Sequence, residues 1–453
     1  MISVLHTSWP LLLGIMLLLV GNGMQGTLLG IRGGYENMST DHLAVVMASY
    51  YAGFLLGSRM VPGMIQRVGH VRVFAALGSL ISAVLILYAA VPNWMAWSLL
   101  RLLIGFSFSG VYITAESWLN ASTGNENRGQ AMSVYMIVQM TGLVGGQVLV
   151  NFGDPNGFML FIVPSVLVSL AFTPILLSVQ PTPAFGALKR MSFRRLYAVS
   201  PLGCIGIFIM GGVFSALLGM MPVWGTTSGM NVRDISLIVA AVYFGGLVVQ
   251  FPIGWLSDRM DRRHLVLLLL LIGGLVIILQ LVMSPGILGV ILVAAVAGGV
   301  SNPVYALLLA HTNDYLDADD MASASAGLLF LNGLGAMGGP LIVGRMMTVM
   351  GPNGYWIFIG VLIAVLAAYT GWRMTQREAL SSDETGGFAV IVPSATTVAV
   401  EFSLEAAQDE TAPLVTGDEE DLSPEDYGII DQEESALGDN NVDAGKDQDI
   451  SSG

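Results

Sequence analysis

Apolar positions along this chain are concentrated in long, nearly uninterrupted runs. An α-helix needs about twenty such residues to cross the hydrocarbon core of a bilayer. Short polar or Gly/Pro-containing stretches separate the runs. The pattern predicts an all-α membrane protein with twelve transmembrane helices, whose runs lie at residues 9–31, 43–65, 72–91, 94–116, 130–152, 157–179, 199–224, 235–256, 263–283, 286–310, 322–349 and 353–373.

The first run lies close to the N-terminus, and no Lys or Arg precedes it. A cleaved secretory signal has a basic start and a shorter apolar region. We therefore expect a retained first helix. Composition agrees with a membrane protein, since 54% of residues are hydrophobic, only 11% are charged and mean hydropathy is +0.72.

Charge is distributed unevenly along the chain. Twenty of the 32 acidic residues and only two of the 18 basic residues follow residue 373. A segment this acidic and this poor in large apolar residues does not form a core of its own. We expect residues 374–453 to be a mostly disordered acidic tail. Within it, residues 388–402 alternate β-branched side chains, so a short strand or docking on the bundle is the alternative to a fluctuating tail.

Basic residues mark the loops that follow even-numbered runs. Short loops rich in Lys and Arg stay in the cytoplasm during insertion. Both termini are therefore expected on the cytoplasmic side. The residues concerned are Arg67, Arg72, Arg128, Lys189, Arg190, Arg194, Arg195, Arg259, Arg262 and Arg263.

The sequence contains a diverged internal repeat. A shift of 192 residues aligns 48–72 with 240–264, and a shift of 193 aligns 111–150 with 304–343. Matched positions include Tyr51 with Tyr243, Gly53 with Gly245, Gly142 with Gly335 and Gly146 with Gly339. A duplicated six-helix unit with a site between the copies is typical of secondary transporters. The predicted parts are an N-terminal half (1–180), a basic linker (181–198), a C-terminal half (199–373) and the acidic tail (374–453).

The chain resembles the major facilitator superfamily over about residues 1–375. The superfamily loop pattern G-x-L-A-D-R-x-G-R-R is similar to GWLSDRMDRR at Gly254, Leu256, Asp258, Arg259, Arg262 and Arg263, with Asp261 in place of the second glycine. The first-half copy retains Arg67 and Gly69 but has Gln66 at the aspartate position and His70 and Val71 at the basic pair. The stretches GHVRVFA and ITAESWLN and the long tail also resemble YcaD-like permeases.

The resemblance implies a gate at the cytoplasmic side. Asp258 would reach the start of the fifth helix near Arg128, as an anion at a helix N-terminus. A carboxylate at position 66 would instead meet the acidic loop 314–320, so we hypothesise that Arg67 and Arg72 pair with that loop. The alternative is that these charges only set the topology. The candidate gate residues are Asp258, Arg259, Arg262, Arg263, Gln66, Arg67, Gly69, Arg72, Glu116 and Arg128.

Ionisable residues inside a membrane are costly and therefore indicate function. Glu116 is placed near the cytoplasmic end of the fourth helix, which favours a gate residue or a structural partner of Arg128 over the alternative of a mid-membrane proton site. Arg101 lies about 10 Å below the opposite surface at 1.5 Å per residue, where it would bind an anionic group, assist proton movement or contact backbone carbonyls.

The remaining polar residues of the spans are candidates for a solute cavity. Asn22 and Gln25 are favoured because flanking glycines let the backbone line a cavity. The alternative role of each of these residues is to form a hydrogen bond between helices. The glycines of GLVGG (142–146) and GLGAMGGP (333–340) indicate close helix packing. The candidate cavity or coupling residues are Asn22, Gln25, Arg101, Tyr112, Gln139, Tyr243, Gln250, Asn302 and Tyr305.

These features predict a secondary active transporter, not an enzyme, in the inner (plasma) membrane. Since no carboxylate falls near mid-membrane, the expected solute is small and neutral or anionic, with a proton as the expected coupling ion. No nucleotide-binding loop, metal cluster or cofactor site is found, and Cys204 stands alone. The expected partners are a small-molecule substrate and the lipid bilayer, with no nucleic acid, and a monomer is expected. The alternatives are a drug-like efflux antiporter and a non-transporting receptor or scaffold acting through the tail.

Overall fold

The computed structural model describes residues 2–123, 128–177, 191–376, 388 and 391–411. Among these residues, eleven helices are long and apolar enough to cross a membrane, and the apolar helix Met159–Pro174 is shorter. The helices are α1 (Ile2–Tyr35), α2 (Thr40–Val68), α3 (His70–Ala90), α4 (Trp94–Ser122), α5 (Arg128–Leu149), α6 (Met159–Leu177), α7 (Phe193–Val199), α8 (Pro201–Ser215), α9 (Met221–Thr227), α10 (Val232–Ser257), α11 (Arg262–Met283), α12 (Ile287–Asn313), α13 (Ala318–Met350), α14 (Asn353–Met374) and α15 (Thr397–Thr411).

Polar residues at the predicted boundaries define where the helices begin. The Ser39 hydroxyl accepts a hydrogen bond from the N–H of His42, and Asn231 accepts one from the N–H of Asp234. Such caps satisfy N–H groups that have no partner within the helix. The seventh predicted span is interrupted, because a π-helical turn at Ala216–Met220 joins α8 to α9.

Glycine contacts show the duplication directly. Gly53 of α2 lies against the Leu102 carbonyl of α4, where an added Cβ would be 1.9 Å from the oxygen. Gly245 of α10 has the same relation to the Ala295 carbonyl of α12, at 1.8 Å. These two pairs are related by the offsets of the sequence repeat. The two halves therefore repeat one helix packing arrangement, which confirms the predicted pair of six-helix repeats.

The two ends of the bundle differ. The end formed by the α2–α3, α10–α11 and α12–α13 connections carries a cluster of arginines and is called the basic end below; the opposite end is called the far end. The cluster consists of Arg67, Arg72, Arg259, Arg262 and Arg263.

The halves contact each other at the far end. An added Cβ at Gly30 of α1 would lie 2.7 Å from the Pro222 side chain of α9. Asn151 Nδ2 donates to Ser236 Oγ at 2.8 Å, close to the start of α10. Arg345 at the end of α13 lies 3.6 Å from the Asp41 carboxylate. The two halves are therefore joined at this end.

Part of the acidic tail packs within the bundle. Residues Met1–Thr411 form one compact unit, which includes this part of the tail. Residues 391–396 are irregular, and α15 follows. For residues 388–402 the sequence allowed three alternatives: a short strand, a segment docked on the bundle, or a fluctuating tail. The predicted strand is wrong. The helix α15 satisfies its own backbone hydrogen bonds without a pairing partner. The other tail residues lie outside the described part of the chain.

Candidate functional site

A cavity of about 530 Å³ lies between the two halves. Its described walls come from α1, α2, α4 and α5 on one side and from α8, the π-helical turn, α10, α12 and α13 on the other, with Met191 and Phe193 of the linker region also lining it. Irregular residues of the tail complete it at the basic end. Because both halves contribute, their relative movement would change access to the cavity.

Polar side chains of the first half form a connected chain in the cavity wall. Arg101 Nη1 donates to Gln25 Oε1 at 2.8 Å. Gln25 Nε2 donates to Asn22 Oδ1 at 2.9 Å, and Asn22 Nδ2 donates to the Tyr112 hydroxyl at 3.0 Å. The glycines around Asn22 and Gln25 let α5 approach, since an added Cβ at Gly23 would be 2.6 Å from the Leu143 carbonyl.

Aromatic and sulfur groups surround the Arg101 guanidinium. Its carbon lies 4.9 Å from the centre of the Tyr50 ring, and Nη2 lies 3.3 Å from Met47 Sδ. Arg101 is 4% exposed. A desolvated guanidinium over an aromatic face is held by cation–π attraction. The positive charge is thus fixed in place at the cavity wall.

The second half contributes a wall without charged side chains among its described lining residues. Tyr243, Ser301 and Asn302 line it, together with the π-helical turn at Leu217 to Gly219. π-Turns inside helices often occur at functional sites and hinges. Here the turn brings the backbone of Gly219 near Tyr51, whose hydroxyl would lie 3.6 Å from an added Cβ.

Charge in the cavity has one sign. Among the described lining residues none is Asp or Glu, whereas Arg59 and Arg101 are both present. The Arg59 guanidinium carbon lies 4.8 Å from the centre of the Phe330 ring in α13. The described wall is therefore electropositive.

Six of the nine predicted cavity residues line this space: Asn22, Gln25, Arg101, Tyr112, Tyr243 and Asn302. The other three, Gln139, Gln250 and Tyr305, are buried but are not among the described lining residues. All three lie in membrane-spanning helices. Gln250 Nε2 donates to the Ile391 carbonyl of the tail at 3.1 Å. Sequence reasoning missed Tyr50, Tyr51 and the tail residues, although the match of Tyr51 to Tyr243 in the repeat was a usable signal.

The loop after α10 mainly makes contacts within its own half. Arg262 is ion-paired with Asp314 at the start of the acidic loop, and its Nε donates to Ser257 Oγ at 3.2 Å. Arg263 Nη2 donates to Asp261 Oδ2 at 2.9 Å. Burial opposes a fall in the pKa of Asp261, but the hydrogen bonds and charge of Arg263 outweigh it, and the pKa lies below its usual value.

The remaining loop residues lie at the mouth of the bundle. Arg259 stacks on Trp255, with its guanidinium carbon 4.2 Å from the ring centre. Asp258 Oδ1 accepts a hydrogen bond from the N–H of Phe388 at 3.1 Å. The side chain of Arg128, its predicted neighbour, lies outside the described part of the chain. The latch between Asp258 and the start of α5 stays a prediction.

In the first-half loop, Gly69 has φ +88° and ends α2, a conformation that favours glycine. Gln66 lines the cavity, and Arg67 and Arg72 are exposed. The acidic loop that they were predicted to meet contacts the second half and the linker here, through Asp314 with Arg262 and Asp320 with Arg195. A latch through Arg67 and Arg72 stays a prediction for a conformation closed at the basic end.

Glu116 lies near the C-terminal end of α4 and is 1% exposed. It accepts a hydrogen bond from the Tyr135 hydroxyl of α5 at 2.8 Å and another from the Thr396 hydroxyl of the tail. Glu116 therefore connects α4, α5 and the tail.

This fold and site define a class of protein: a polytopic membrane protein built of two repeated helical halves around a polar cavity. The family model of the Major Facilitator Superfamily matches residues 11–232 and 203–403. The chain belongs to the major facilitator superfamily.

Relatives and solved structures agree with this family. The chain is 27% identical to an uncharacterised MFS-type transporter of Yersinia enterocolitica, over 79% of this chain and 93% of the relative. It is 25% identical to the uncharacterised MFS-type transporter YcaD of Escherichia fergusonii, over 77% and 91%.

The fold is similar to that of the nucleoside transporter NupG, with a TM-score of 0.67, 15% identity and coverage of 82% of this chain and 100% of NupG. It is also similar to an inward-facing, unoccupied bacterial homologue of the human lysosomal transporter Spinster, with a TM-score of 0.60, 14% identity and coverage of 88% and 96%. The chain is a multi-pass inner-membrane secondary transporter for a small-molecule substrate.

Proposed function

We propose that this transporter carries a small neutral or anionic solute by alternating access to the cavity between its halves. One observation carries the proposal: the charged residues among the described cavity lining, Arg59 and Arg101, are both cations. Burying a cationic solute beside them without a counter-charge would be prohibitive.

Arg101 is the principal solute-binding candidate. Its Nη1 is occupied by Gln25, and the chain through Asn22 ends at the Tyr112 hydroxyl. An anionic group near the guanidinium would gain charge-assisted hydrogen bonds, while a neutral polar solute would use Gln25, Asn22 and Tyr112.

A proton is the proposed coupling ion, with Glu116 as the candidate carrier. It is a buried carboxylate that is hydrogen-bonded to Tyr135 in the bundle and to Thr396 and the backbone of Ala399 in the tail. Loss of its charge would weaken these contacts, so protonation and movement of the basic end would be linked. Collapse of solute accumulation on adding an uncoupler would be expected, and unchanged accumulation would contradict the coupling.

The proposed orientation places the basic end and both termini in the cytoplasm, for a monomeric protein. The arginine cluster of the basic end supports it, because Lys- and Arg-rich short loops remain cytoplasmic. A phosphatase that is active only outside the cytoplasm, fused after residue 376, tests this orientation and should be inactive.

The solute class is tested by thermal shift of the purified protein with matched pairs of carboxylates, their neutral amides and the corresponding amines. Carboxylates or amides should raise the melting temperature. Arg101→Gln should abolish the shift with a carboxylate and retain most of the shift with an amide, since only the former needs the charge. Gln139→Ala, outside the described lining, is the matched control and should keep both shifts. Stabilisation by amines alone would contradict the proposal.

A further inference from the structure

Residues 388 and 391–404, called the tail segment below, are seated in the bundle rather than lying on its surface. Ile391, Val392, Val398, Val400 and Phe402 are all buried. The helix that begins at Thr397 packs against α4 and α5 of the first half and α13 of the second. The segment therefore fills space between the two halves.

Two buried amides of the second half hold the irregular part of the tail segment. Gln250 Nε2 donates to the Ile391 carbonyl at 3.1 Å, and Asn332 Nδ2 donates to the Pro393 carbonyl at 2.8 Å. These donors bind backbone oxygens of a stretch that has no regular structure to satisfy them. The site thus recognises an irregular peptide, and its occupant is the chain itself.

A carboxylate of the first half and one of the second also bind the tail segment. Glu116 of α4 accepts a hydrogen bond from the Thr396 hydroxyl, and Asp258 after α10 accepts one from the N–H of Phe388. Both are residues that the sequence placed at a gate. The tail segment is therefore tied to both halves across the mouth of the bundle.

The tail segment forms the wall of the cavity at the basic end. Val392, Pro393, Ser394, Ala395 and Thr397 line the cavity on the side of the basic end. At the far end the halves are already joined, as the contacts of α1 with α9 and of α13 with α2 show. We propose that the tail segment is an intramolecular plug that blocks the basic-end route into the cavity and holds the halves apart there, so that solute exchange requires its release.

The consequence for transport rests on the proposed alternating-access function. To open the far end, the halves must meet at the basic end, where the side chains of Thr396, Ala399 and Val400 now occupy buried space. The plug thus inhibits transport by obstructing the cavity and by preventing closure. The obstruction itself can be measured without a solute.

The test is the reaction rate of a cysteine introduced in the cavity wall, Ser58→Cys, with a charged maleimide in purified protein carrying Cys204→Ser. A chain ending after residue 376 lacks the plug, and a chain ending after residue 411 retains it and serves as the matched control. The full-length variant Val400→Asp removes the plug without truncation, because a buried carboxylate at that position is costly.

The chain ending after 376 and the Val400→Asp variant should react about tenfold faster than the full-length protein, and the chain ending after 411 at the full-length rate. Monodisperse elution and a cooperative melting transition verify folding of each protein. If the chain ending after residue 376 does not fold, the labelling rate of the Val400→Asp variant tests the proposal. Full-length reactivity in a folded plug-free variant, or an equal increase in the chain ending after 411, would overturn the proposal. Since no transport is measured, this failure is distinct from failure of the proposed function.

Discussion

Arg262 and Asp314 form an ion pair that is nearly inaccessible to water, with 3% and 4% of their side chains exposed. The pair joins the loop after α10 to the C-terminal end of α12. In a buried pair, removing one partner leaves an uncompensated charge, whereas replacing both by apolar residues is often tolerated. Arg262 of the GWLSDRMDRR loop thus has a structural role within the second half.

We expect Arg262→Met and Asp314→Leu each to lower the free energy of unfolding by about 3–5 kcal/mol, because each removes the opposite charge from a partner that stays buried. The double variant should recover most of that loss. Denaturant unfolding of the purified protein in one detergent, analysed as a double-mutant cycle, measures both effects.

The pair Arg195 and Asp320 is the control at the same end of the bundle. Its arginine side chain is 61% exposed. Exposed pairs contribute under about 1 kcal/mol. Arg195→Met should therefore change stability little. If Arg195→Met lowered the free energy of unfolding as much as Arg262→Met, the loss would depend on removing charge at the basic end rather than on burial of the ion pair.

At the level of single residues, the sequence identified polar side chains within apolar helices. It was less informative about which of these side chains line the cavity, because that depends on how the helices pack. Arg101, Asn22 and Gln25 were found because polar groups inside apolar runs stand out. Gln250 and Tyr305 stand out equally but are not among the described lining residues. Gln250 lies on the same face of α10 as Tyr243, about two turns further along the helix. Nothing in the one-dimensional pattern showed that Gln250 would bind the Ile391 carbonyl of the tail.

Pairs of helices are joined by glycines at which one backbone contacts the next. In α13, an added Cβ at Gly335 would lie 1.9 Å from the Phe208 carbonyl of α8, far inside van der Waals contact. At Gly338 of the same helix there is nothing within 4 Å. The two positions differ by one turn but have opposite tolerance for a side chain.

Gly335→Ala should destabilise the protein by about 1–3 kcal/mol, since the methyl group forces α8 and α13 apart. Gly338→Ala should be neutral or raise stability by up to about 1 kcal/mol, because alanine favours the helix. Melting temperatures of the two variants provide the comparison. Equal effects would show that the contact is not a determinant of packing.

The helical elements follow from the sequence better than their ends do. All twelve predicted spans correspond to helices, but α1 begins at Ile2 rather than near residue 9, and α4 continues to Ser122. Hydropathy finds apolar lengths, whereas helices extend beyond them into the interface. The tail segment was harder to predict, because alternating β-branched residues suggested a strand and only the bundle provides the surface on which α15 packs.

The structure as a whole is asymmetric between its two ends, although its halves are repeats. The far end is joined by direct contacts, including Asn151 with Ser236 and Arg345 with Asp41. At the basic end the tail segment lies between the halves, packed against α4, α5 and α13. If the halves rock as rigid units, separation at one end must accompany closure at the other.

Spin labels on exposed residues test this coupling between the ends. One pair replaces Arg67 and Arg259 at the basic end, and another replaces Asn37 and Arg233 at the far end, each in protein carrying Cys204→Ser. The full-length chain should show one long basic-end distance and one short far-end distance. The chain ending after residue 376 should add a shorter basic-end population and a longer far-end population, because the plug no longer holds the basic end open.

The two new populations should be equal in size, since one movement creates both, and the chain ending after residue 411 should match the full-length protein. A ligand acts on such an equilibrium only through its different affinity for the two states. A carboxylate or amide found by thermal shift should therefore change both populations together. Changes confined to one end would show that the ends move independently and would contradict alternating access by rigid halves.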